Sequence, residues 1–242
     1  MTDPHGRAPA GAGDGTGDGA TDETGHTGHY TGQVEPGGPW QDRIDGPLAV
    51  RKLSVGAMDN NVYLVGCART GAALLVDVAD DAPRLLAAAA DRAVVAAVQT
   101  HGHWDHVRAW EGVRAAGIEV WGHPGDAALF PAAVDRELQH GQRIAVGDVE
   151  VEVLHVAGHT PGSLLYLVRG EQRWHLFSGD TLFPGGHGRT EAPEDHELIM
   201  DGLETQVFDR LPDDTWVYPG HGDDTTLGAE RPHLAEWRAR GW

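Results

Sequence analysis

The chain has 242 residues, 40% of them hydrophobic, with 34 glycines, 14 prolines, one cysteine and a formal net charge of −19. That length supports a substantial buried core, and the acidity disfavours a nucleic-acid or anionic-membrane partner. The lone Cys67 excludes an internal disulfide and any thiolate-cluster metal site. No apolar run is long enough to span a bilayer, and no basic-then-apolar segment opens the chain, so a cytoplasmic protein is expected.

Residues 1–45 are rich in Gly, Pro and acids and poor in large aliphatic side chains. Such a segment buries too little apolar surface to offset its ordering entropy, and it reads as a disordered tail preceding a domain over 46–242. His26 and His29 within it are expected to be solvated rather than metal-binding. Strands are predicted at Leu48–Val55, Val62–Cys67 and Ala72–Val78, and a helix over Asp80–Arg92, with acids and Pro83 in its first turn. Val94–Val98 reads as a buried strand, Val107–Ala116 as a helix, Ile118–Trp121 as a strand and Asp126–Val134 as a short helix.

Strands follow at Arg143–Val146, Val149–Val156, Ser163–Arg169 and Trp174–Phe177, with Gly147–Asp148 as a tight turn. Glu194–Arg210 reads as helical, Trp216–Tyr218 as extended and Gly228–Arg238 as helical, which together favour a layered α/β domain.

The chemistry concentrates in Thr100–His101–Gly102–His103–Trp104–Asp105–His106, directly after a buried strand. Imidazole and carboxylate are the usual donors for zinc and iron. Residues two apart in an extended loop project to the same side, so His101 and His103 can grip one ion while Asp105 and His106 face a neighbouring one. His159, Asp180 and His221 each follow a predicted strand and sit among Gly or Pro, as ligands on tight strand-end loops do. A carboxylate such as Asp180 can bridge two cations.

The His-X-His-X-Asp-His run at 101–106, followed in order by His159, Asp180 and His221, resembles the metallo-β-lactamase superfamily, and within it the glyoxalase II-like branch. The resemblance spans Leu48 to the C-terminus and implies a four-layer αββα sandwich with metals at one edge. It implies that His101, His103 and His159 hold one metal and Asp105, His106 and His221 the other, with Asp180 bridging. Asp77 matches an acidic residue that supports the ligand loop. Two divalent ions are implied, zinc first, with iron or manganese as alternatives.

The implied activity is hydrolysis of a thioester or related ester. A hydroxide bridging the metals would attack the carbonyl, and Asp105 would orient it and shuttle a proton. Arg189, in Gly188–Arg189–Thr190, matches a basic residue that grips a substrate carboxylate; pairing with Glu191 or Glu194 is the structural alternative. Glu191 and Asp223 stand where that family places aromatic residues, and about twenty residues follow His221, so the glutathione-binding C-terminal domain of glyoxalase II is expected to be missing.

The alternatives are a mononuclear iron persulfide dioxygenase, holding its metal through two histidines and Asp180, and a lactonase. A small-molecule substrate and a monomer or homodimer are expected. Trp104 is expected to pack beneath its loop, His155 to be a satisfied strand histidine and His187 a solvated one. Deleting residues 1–40 is expected to do little.

Overall fold

The computed structural model describes residues 26, 27 and 30–241. Eight strands form the first sheet in chain order: β1 (His26–Thr27), β2 (Trp40–Asp45), β3 (Leu48–Val55), β4 (Asn60–Cys67), β5 (Ala72–Val76), β6 (Ala93–Val98), β7 (Val120–Gly122) and β8 (Arg136–Glu137). Pairing is antiparallel from β2 to β5 and parallel from β5 to β8. The helices α1 (Ala82–Ala88) and α2 (Trp110–Ala115) supply parallel crossovers.

The second sheet runs β9 (Arg143–Val146), β10 (Val149–His155), β11 (Leu164–Arg169) and β12 (Trp174–Gly179), with a small hairpin of β13 (Leu182–Phe183) and β14 (Gly186–His187) beyond it. After α3 (Pro193–Leu203) the chain returns to the second sheet as β15 (Trp216–Pro219), parallel to β12, and β16 (Thr225–Thr226). The helices α4 (Leu227–Glu230) and α5 (Leu234–Arg240) close the fold.

Three apolar clusters define four layers. One lies between the sheets and joins Leu48, Val50 and Tyr63 of the first to Val151, Tyr166 and Phe177 of the second. Another packs Leu53, Leu64 and Leu75 against Leu85, Trp110 and Val113 of α1 and α2. The third packs Leu165, Leu167 and Leu176 against Ile199, Met200 and Leu203 of α3 and Trp237 of α5. Covered on both faces, every residue of β3 and β4 is buried, so neither shows in–out alternation. The expected αββα sandwich is the observed one.

The domain boundary at residue 45 is corrected. Residues 30–45 belong to the fold, and β2 pairs with β3 along its length. Its buried residues include Gln41 and Asp45, so no apolar periodicity announces it. Asp45 accepts from the backbone N–H of Gln172 and Arg173, and Gln41 ties down residues 31–33. The tail expectation for residues 1–25, and that for His29, lie outside the described residues.

Other elements shift for local reasons. A single 3₁₀ turn, Pro124–Asp126, and then bends replace the helix predicted over Asp126–Val134. The buried Asp126 carboxylate is committed to neighbouring loops instead of opening a helix. The helix after Pro193 ends in a π-turn, Glu204–Phe208. Trp104 is 60% exposed, with the Arg108 guanidinium 5.7 Å from its ring centre, and does not pack beneath its loop. His155 is satisfied by the Pro161 carbonyl at 2.9 Å. His187 is half-buried against its Gly188 carbonyl, 2.7 Å away, rather than fully solvated.

Candidate metal centre

Each predicted ligand lies within a few residues of the C-terminal end of a buried strand: His101 after β6, His159 after β10, Asp180 after β12 and His221 after β15. These ends converge at one edge between the sheets. The loop after β6 curls into a 3₁₀ turn, Trp104–His106, which turns Asp105 and His106 inward and buries both.

The structure brings all seven predicted ligands together. His101, His103 and His159 present side-chain donor atoms within 4.8 Å of one another, as do Asp105, His106 and His221. Asp180 stands between the groups. Its Oδ2 is 3.4 Å from His221 Nε2, 3.7 Å from His159 Nε2 and 4.0 Å from His101 Nε2, and its Oδ1 is 3.4 Å from His106 Nε2. Gly220 leaves room for this carboxylate, because a Cβ there would overlap Asp180 Oδ1.

The outer hydrogen bonds fix the histidine tautomers. Thr100 gives its only hydroxyl proton to Asp77 Oδ2 at 2.8 Å, so at 3.0 Å it accepts from His101 Nδ1. His106 Nδ1 donates to the same Asp77 oxygen at 2.9 Å. The carbonyls of Arg189 and Met58 accept from His159 Nδ1 and His221 Nδ1, each at 2.8 Å. With each Nδ1 engaged outward, all four rings turn their Nε2 inward, the nitrogen a ligating imidazole would offer to an ion.

Asp77 holds a left-handed φ of 64°, which lets one carboxylate serve Thr100 and His106 together. It supports the ligand loop as the resemblance implied. His103 makes edge-on ring contacts with His101 and His159.

Among the described residues, the buried atoms His101 Nε2, His159 Nε2 and Asp180 Oδ1 have no hydrogen-bond partner. Buried polar atoms rarely go unpaired, and these belong to a donor set of nitrogen and oxygen that suits divalent cations. The residues fit such ions. Burial holds His101 well below the usual imidazole range. Burial also opposes ionisation at His106 and Asp180, but their mutual attraction prevails, raising His106 and lowering Asp180.

Three supporting residues were missed in the sequence. Asn60 donates to Asp105 Oδ2 at 2.9 Å. Asp126 accepts from Gly102 N at 2.8 Å, Thr160 Oγ1 at 2.8 Å and Gly162 N at 2.6 Å, clamping two ligand loops together. Lys52 donates to the carbonyls of Gly32 and Gly222 and to Asp224, holding the His221 loop against residues 30–33. The only available signals were that Lys52 is the single lysine and lies in an apolar strand. Tyr30 and Gln33 add bonds to Asp224 and Asp223, so a deletion of residues 1–40 would remove ties to the loop that follows His221.

Arg189 is exposed and pairs with neither Glu191 nor Glu194 among the described residues. A cavity of about 480 Å³ opens beside His103 and His159, walled by Leu129, Pro161, Glu191, Asp195 and Leu198.

The model of the metallo-β-lactamase superfamily matches residues 55–221, which contain every one of these ligands. The chain belongs to that superfamily. Its fold is one that binds divalent metal ions.

The chain is 36% identical to a hydroxyacylglutathione hydrolase from Rhodospirillum rubrum over 72% of its own length and 66% of that protein's, so it spans just under two thirds of this relative. Among solved structures it resembles ETHE1 from Myxococcus xanthus (29% identity, TM-score 0.66, covering 78% of this chain and 84% of that one). It also resembles TTHA1623 in a di-iron-bound form (30% identity, TM-score 0.61, covering 74% and 96%). No helix among the described residues is long and apolar enough to cross a membrane.

Proposed function

We propose that this superfamily member is a dinuclear hydrolase of a thioester or related ester. One observation carries the reading: two three-residue donor groups lie side by side, with Asp180 approaching donors of both. The likeness to a di-iron protein supports it. His101, His103 and His159 would hold one ion, Asp105, His106 and His221 the other, and Asp180 would bridge them. Zinc is the first candidate, and iron or manganese would suit the same donors.

Two such ions supply an acidified water and polarise the substrate carbonyl. The chain supplies the rest. Asp105 takes a proton from the attacking water, and Asn60 keeps its Oδ2 in place for this. The water oxygen bonds to the carbonyl carbon and the carbon–sulfur bond breaks. The departing sulfur keeps the bonding electrons and receives the proton from Asp105, giving a carboxylic acid and a thiol. Arg189 is available for a substrate carboxylate through its planar fork.

The test is metal content per chain on untagged protein, followed by a panel of acyl thioesters and lactones. About two ions per chain with thioester cleavage is the expected result. A single iron with oxygen uptake on a persulfide would favour the second reading, with which the likeness to ETHE1 is compatible.

A further inference from the structure

We infer that the cavity beside His103 and His159 receives a positively charged portion of the substrate, an inference that rests on the hydrolase reading above. Its volume, about 480 Å³, is in the range that encloses a small organic group. One observation marks it as a ligand cavity independently of its charge: it opens directly beside His103 and His159 of the donor cluster, where a substrate held at that centre would extend.

Its walls give the ligand's character. Leu129, Ala157, Pro161 and Leu198 form an apolar surface, and Leu129 and Leu198 are 42% and 54% exposed there despite their size. Glu191 and Asp195 supply two carboxylates, and among the described residues no lysine or arginine lines the cavity. Neither carboxylate has an ion pair or a side-chain hydrogen bond among the described residues, so neither is neutralised by a neighbour there.

A ligand bearing an ammonium group on a short apolar arm satisfies both kinds of wall, whereas a carboxylate at the same place meets two like charges. A second cavity, beside the loop that carries His221, repeats the bias. Glu35, Asp59 and Asp223 line it, again without a basic residue among the described residues. Arg189 lines neither cavity, so an anionic group elsewhere on the substrate is compatible with this selection.

The probes are three uncleavable thioethers, S-benzyl cysteamine, S-benzyl N-acetylcysteamine and S-benzyl 3-mercaptopropionate, titrated calorimetrically into the metal-loaded full chain. The ammonium compound is expected to bind about tenfold tighter than the carboxylate, with the neutral amide between them. The double variant E191Q/D195N should compress that ratio to about twofold, and raising ionic strength to about 0.5 M should do the same for the unaltered chain. Equal or tighter binding of the carboxylate, or a preference that survives both treatments, overturns the inference.

The corresponding acetyl thioesters, assayed in parallel, separate the two readings. A charge preference in binding without cleavage of any thioester sinks the hydrolase reading and upholds the cavity. Cleavage with no order by charge upholds the hydrolase and sinks the cavity.

Discussion

Lys52 Nζ lies 2.7 Å from Asp224 Oδ1, with the lysine side chain 0% and the aspartate side chain 2% exposed. This buried pair joins the middle of β3 to the loop that follows the last ligand, and Asp224 also accepts from Tyr30 and Trp216. Removing one member strands the other without a partner, which costs far more than an exposed pair would.

Lys52→Met should therefore lower unfolding stability by about 3–5 kcal/mol. Urea denaturation of the metal-free chain would measure it. The same variant should bind metal more weakly, because Gly222 O loses the donor that steadies the His221 loop. An unchanged urea midpoint would show that the pair is not a structural tie.

Asp126→Ala should uncouple the two ligand loops. It leaves Gly102 N, Gly162 N and the Thr160 hydroxyl without this acceptor in a fully buried place. The expected loss is roughly 3 kcal/mol of stability and about 10–100-fold in metal affinity. Competition against a chelator of known affinity reads the second effect separately from the first.

Asp180→Ala should cut metal stoichiometry from about two ions to one or none and reduce hydrolysis by at least about a thousandfold. Metal analysis and thioester turnover on the same preparation check both. Dialysis of the unaltered chain against a chelator should likewise abolish turnover and lower the thermal midpoint, since bound ions stabilise the folded state. Full turnover in the variant would sink the two-metal reading.

Acid should weaken the fold through His175, which is held between the Tyr218 hydroxyl at 2.8 Å and Asp45 Oδ2 at 2.9 Å. Burial depresses its pKa, outweighing the opposing Asp45 carboxylate. A depressed folded value means that the unfolded chain takes up the proton first. This contribution is therefore complete above about pH 6.5 and is lost as pH falls through the folded value. Between about pH 7.5 and 5.5 the urea midpoint of His175→Gln should fall less than that of the unaltered chain. Equal falls would assign the acid sensitivity to other groups.

The clustering of the candidate ligands was legible because metal chemistry calls for particular side chains at strand ends, and β6, β10, β12 and β15 announce themselves by apolar content. The strand β2 was not, because its buried Gln41 and Asp45 are paid for by hydrogen bonds to distant loops, and no periodicity encodes that. Asp126 was hidden for a similar reason. At the start of a presumed helix an aspartate reads as a local signal, yet its partners lie 24, 34 and 36 residues away. Asn60 and Lys52 meet the centre only once the sheet edge and the His221 loop have been folded together.

Two of the imidazoles are oriented by main-chain carbonyls, those of Met58 and Arg189, whose own side chains face solvent. A carbonyl is present whatever residue occupies the position. Both sites are therefore open to drift: exchanging the side chain alters what an approaching molecule meets while the ring behind it keeps its proton and its aim. A scaffold wired in this way can be retailored to new substrates by single substitutions at its rim without first dismantling the centre that does the chemistry.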